Sequence, residues 1–166
     1  ALTDVRPLTV AAVHGHCVGG GVVLTSACDL RLAGDDARFL IPEVDLGIPL
    51  AWGGIPRLVR EIGPALTKEL VLTCRPFGAA EAREIRFVNR VVPTDELVTT
   101  ADRFAADLAE KPWFSIRQTK QHVNAVMDEI AGLGRSTAEA DTLIAAMADP
   151  ESVAFSRSYL RRREGT

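Results

Sequence analysis

Three consecutive glycines, Gly19, Gly20 and Gly21, stand between a β-branched apolar run and a short apolar segment that ends at Cys28. This limits the fold more than any other feature. The run Leu8–Val13 reads as a buried strand, and residues 14–21 read as a loop that closes on the triplet. Val22–Cys28 follows with a compact apolar stretch that reads as a buried helix, and Asp29–Ala33 reads as a second strand. A strand, a glycine turn, a helix and a strand in that order point to the α/β class, because such units lay a helix across a sheet.

The rest of the chain divides by texture. Phe39–Ile41 is a candidate third strand before Pro42, and 46–54 is a Gly/Pro-rich loop. Two helices, 55–61 and 65–72, are expected on either side of a Gly63–Pro64 break. A short helix from Ala79 precedes a strand over 87–92. From 93 onward the spacing is helical throughout. One helix carries Leu97, Ala101, Phe104 and Leu108, and a second starts after Pro112. A third is expected over 138–147, and a fourth starts at Pro150. The apolar faces of these helices are narrow, so they need the first part of the chain or another subunit to pack against. This gives a core region over 1–95 and a helical region over 96–166.

Composition excludes several functions. The chain has 166 residues, 47% hydrophobic, with a formal net charge of -3. No broad basic face for nucleic acid is expected from that balance. No apolar run reaches the length of a membrane span, and the first residues lack the basic-then-apolar pattern of a secretory leader. Cys17, Cys28 and Cys74 match no metal spacing and read as small buried thiols in a reducing compartment, taken here as the cytoplasm.

Three segments in order then carry a family likeness. HGHCVGGGVVLTSACDLRLAG, PEVDLGIPLAWGGIPRLVREIG and LTCRPFGAAEAREIRFVNRVVP resemble the successive signatures of the enoyl-CoA hydratase/isomerase (crotonase) family. His14, Gly15, Gly19–Gly21, Cys28 and Asp29 fit the first. Pro42, Glu43, Leu46, Gly47, Gly53, Gly54, Arg57 and Gly63 fit the second. The likeness implies a partial crotonase-like ββα spiral core, followed by a helical trimerisation region. It also implies that a leading segment is absent, with first strands, one oxyanion donor and part of the coenzyme A pocket; activity would need that segment supplied.

The same resemblance implies an acyl-CoA thioester as substrate, no further cofactor, no metal, and assembly as a homotrimer or a dimer of trimers. It places one oxyanion donor on the Gly20 amide. From spacing alone, the triplet reads first as a tight strand-to-helix turn. A thioester enolate needs N–H donors aimed at its oxygen, which a glycine backbone can approach closely. Val18, Gly19, Val22, Val23 and Trp52 become the candidate walls of the acyl site.

The family's hydratases use two glutamates. One position is Glu43; the other, two residues past the last glycine, is Val23. One base is sufficient to move a double bond, since it removes a proton and returns it two carbons along. The family's isomerases likewise keep one carboxylate, so double-bond migration is favoured over hydration, with an inactive acyl-CoA binder as a third reading. Glu43 reads alternatively as an inert turn carboxylate. Asp45 reads as solvated, or as a second acid if the segment is extended. His14, His16, Asp29 and Arg57 read as structural, Asp29 as a cap and Arg57 through an ion pair. Arg161, Arg162 and Arg163 read as a solvated helix end or as partners of coenzyme A phosphates. Arg86 stands where the family has a glycine closing a helix, so either the turn differs here or the chain bears the cost of a left-handed non-glycine residue.

Overall fold

A computed structural model of the chain describes residues 2–132, 134 and 139–164. Two small sheets form its centre. In the first, β1 (Val10–Val13), β3 (Leu30–Gly34) and β6 (Arg90–Val92) run parallel in the order β1-β3-β6. In the second, β2 (His16–Val18) pairs parallel with β4 (Arg38–Leu40), and β4 pairs antiparallel with β5 (Phe77–Gly78). Arg31, Leu32, Ala33 and Gly34 of β3 are buried in succession, as expected for a central parallel strand covered on both faces. The charge of Arg31 is met inside the core. Its guanidinium donates to the carbonyls of Phe87 and Cys28 and pairs with Glu61.

The helix α1 (Gly20–Ser26) links β2 to β3, and α2 (Gly54–Thr73) covers it. Pro64 lacks an N–H to continue a helix, and α2 breaks at Gly63, where φ is 79° and ψ 166°. The short α3 (Ala79–Glu84) is followed by Arg86 at a φ of 67°, so of the two readings the chain keeps the left-handed turn and bears its cost. Three phenylalanines join the sheets to these helices. Phe39 stacks on Phe77 at 5.1 Å and meets Phe87 edge-on at 5.6 Å. Val13, Val22, Ile41, Leu58 and Leu70 complete the core around them.

The short β2 and β5 are not expected from the sequence, and β6 differs in length. Residues 16–18 form β2 inside what reads as a loop, because Cys17 and Val18 find partners in Phe39 and Leu40. The last strand is shorter than 87–92: Phe87 and Val88 fill the core from a bend, and only Arg90–Val92 pairs. There the Asn89 side chain takes over from the ladder, its Oδ1 accepting from the Arg31 amide at 2.7 Å.

After a 3₁₀ turn at Thr94–Glu96 come α4 (Leu97–Ala109), α5 (Trp113–Ala131), α6 (Glu139–Ala148) and α7 (Pro150–Glu164). Ala138, the expected start of the third of these helices, and the Arg163 side chain fall outside the described residues. Lys120 of α5 donates to the carbonyls of Val5 and Pro7 and to Asp29 Oδ2, at 2.8–3.0 Å. Asp29 also accepts from the Thr9 amide and hydroxyl. It therefore ties the start of β1 to α5 rather than capping a helix. No helix among the described residues is long and apolar enough to cross a membrane.

Candidate active site

The glycine loop closes on Gly19, whose amide donates to Leu40 O at 2.8 Å. Val22 and Val23 donate back to Gly19 O. Among the described residues the amides of Gly20 and Gly21 have no backbone acceptor, as orphan donors of the helix start. Gly19 has a φ of 51°, and a Cβ placed on it would stand 2.6 Å from Glu43 Oε1. Only glycine allows that carboxylate so close to the loop.

Glu43 sits in the turn just after β4. Its carbonyl accepts from the amides of Leu46 and Ile48, which fixes the turn. Its Oε2 is buried with no hydrogen-bond partner among the described residues. Burial pushes the carboxyl above the ordinary glutamate value, offset in part by its own backbone amide. Asp45 is half-buried in the same run of turns, which is not the extended segment that would align it with Glu43.

Trp52 closes the other side of the loop. A Cβ on Gly20 would lie 2.7 Å from Trp52 Cζ3, yet the residue as a whole is 73% exposed. Val23 is 5% exposed and sits beneath the same turn: its Cγ2 would be 3.1 Å from a Cβ on Gly54, which Leu50 also contacts. Val22 is 1% exposed and lies in the core, so it backs the loop from inside. Val18 ends β2 with its side chain exposed.

Gly19 and Glu43 thus come together, as do Gly20 and Trp52, while Val23 is buried against Gly54. His14 and His16 are exposed. Arg57 donates to Thr3 Oγ1 at 2.7 Å, while its Nε is buried and unpartnered among the described residues. Arg161 and Arg162 are exposed on α7. Cys17 and Cys74 are buried free thiols, and Cys28 is half-buried. Among the described residues no cluster of His, Cys, Asp and Glu could hold a metal ion.

Two contacts had no local signal in the sequence. Glu139 of α6 accepts from the Gly53 amide at 2.7 Å across 86 residues. Ser152 of α7 lies against Gly47. At this second contact runs a groove of about 360 Å³, lined by Val44, Ile48, Pro49, Ala146 and Phe155 among others. A larger cavity of about 560 Å³ lies between the end of α1, α2 and α5, and neither Glu43, Trp52 nor the glycine loop lines it.

Comparisons with known proteins define the family. The family model described as enoyl-CoA hydratase/isomerase matches residues 1–164. The chain belongs to that family. It is 39% identical over 118 residues to a short-chain-enoyl-CoA hydratase of Clostridium acetobutylicum, covering 71% of this chain and 45% of that protein. Among solved structures it resembles an enoyl-CoA hydratase from Mycobacterium avium subsp. paratuberculosis, with TM-score 0.89 and 25% identity, covering 97% of this chain and 65% of the other. It also resembles a monofunctional enoyl-CoA isomerase from M. smegmatis, with TM-score 0.70 and 34% identity, covering 76% and 60%. The chain spans about half the length of the curated relatives it matches.

Proposed function

We propose that this chain carries the base and one oxyanion donor of an acyl-CoA double-bond isomerase. The observation that carries this reading is a single carboxylate at the glycine loop among the described residues. Glu43 is there with a buried, unpartnered oxygen, and the position of a second glutamate is filled by Val23, packed beneath the 50–54 turn. Glu43 takes a proton from C2 of a 3-enoyl thioester and returns it at C4. The negative charge that develops on the thioester oxygen is held by the Gly20 N–H. Val18, Gly19, Val23 and Trp52 border the acyl chain, and Val22 supports them from the core. The thioester supplies the activation, so no further cofactor enters. The protein works as a homotrimer or a dimer of trimers in the cytoplasm.

Hydration is the second reading, favoured by the names of the relatives, most of which are hydratases. Separate assays with 3-enoyl-CoA and 2-enoyl-CoA decide between the two. Conversion of the first without hydration of the second supports isomerisation. Efficient hydration of 2-enoyl-CoA overturns it. Binding of acyl-CoA with no turnover of either identifies an inactive binder.

A further inference from the structure

We propose that Glu139 is a positioning residue for Trp52, and that the two together set which acyl chains fit over Gly20. The proposal rests on the reading of Gly20 as the place where the thioester lies. Trp52 has a φ of 59° and Gly53 a φ of 71°, so two successive residues are left-handed at the entrance to α2. A bulky residue at positive φ needs its surroundings to hold it. Gly53 has no side chain to cap α2, and none caps it from within the turn. The Glu139 carboxylate fills this role from α6, accepting from the Gly53 N–H at 2.7 Å. A carboxylate is favoured there because the start of a helix presents unpaired N–H groups and positive potential.

The consequence reaches the glycine loop through one residue. Trp52 precedes Gly53, and its ring edge occupies the space that a Cβ on Gly20 would need. The ring has little else to keep it in place, being largely exposed. Fixing the Gly53 amide therefore fixes the roof over Gly20. The C-terminal helices act on the acyl site without contributing a group to the chemistry.

The chain has two tryptophans, so Trp113→Phe leaves Trp52 as the only one. In that background the test compares Glu139, E139A and E139Q. It reads the fluorescence anisotropy of Trp52 and the dissociation constants of hexanoyl-CoA and dodecanoyl-CoA, which do not react. E139A is expected to lower the anisotropy and to change the ratio of the two constants at least threefold. E139Q keeps an acceptor oxygen and is expected to restore both. W52A is expected to change the ratio as E139A does, and E139A to add nothing in the W52A background. An unchanged anisotropy in E139A, or an E139A effect that persists without Trp52, overturns the proposal. None of these readouts requires turnover, so they stand apart from the choice between isomerase and hydratase.

Discussion

At the scale of single residues, Glu43 combines function with instability. Burial raises its carboxyl, so folding favours the protonated form more than the unfolded chain does. A group raised on folding contributes stability below its unfolded pKa and loses it as pH rises through the folded value. Glu43→Gln is therefore expected to be more stable than the parent at neutral pH. The gain should shrink toward acid pH, as measured by thermal melts across that range. The same variant should lose roughly a hundred- to ten-thousand-fold in kcat, the usual worth of a positioned base. Activity of the parent should fall as the pH drops through the raised pKa, because the base must be ionised. Arg86 presents a second residue-scale case. Its left-handed φ carries a cost that glycine avoids, so Arg86→Gly should raise stability by about 1 kcal/mol in chemical denaturation. Both residues were legible in the sequence, Glu43 by its motif and Arg86 by its departure from one. The orphaned Oε2 was not, because burial of one oxygen depends on how the glycine loop meets the turn after β4.

At the scale of elements, legibility followed the range of the forces involved. The Gly63–Pro64 break, the helices from Ala79, Pro112 and Pro150, and the strand through Ala33 have local causes in proline, glycine and apolar spacing. The strands β2 and β5 have only three and two residues, and they exist because β4 pairs with both. No local pattern announces a strand of that kind. The same is true of the ties between elements. No local pattern marks Lys120, yet it is buried and joins α5 to Asp29 and to two carbonyls before β1. Lys120→Ala removes the partner of a largely buried carboxylate. It should cost about 3–5 kcal/mol, the usual penalty for breaking a buried ion pair. Urea denaturation measures it, and a loss under about 1 kcal/mol, the range of exposed pairs, would mean that water screens this one.

At the scale of the whole molecule, α5 leaves an apolar face without a partner among the described residues. Val126 and Ile130 lie at i and i+4, and both are exposed. A cluster of large apolar side chains on one helix face marks a contact with another surface. The homotrimer proposed above would place a second copy of this chain against that face, across a closed threefold arrangement. The double variant V126D/I130D places two charges on that face, where a buried unpaired charge is strongly unfavourable. Because both side chains are exposed within the chain, the folded protomer should keep its circular dichroism and melting behaviour in dilute solution. Its sedimentation coefficient should fall from that of a trimer to that of a monomer. If the parent sediments as a monomer at every concentration tested, this face has another partner. If the variant stays trimeric, the threefold contact runs through other helices, and α6 and α7, with Ile144, Met147 and Leu160 also exposed, are the next to test.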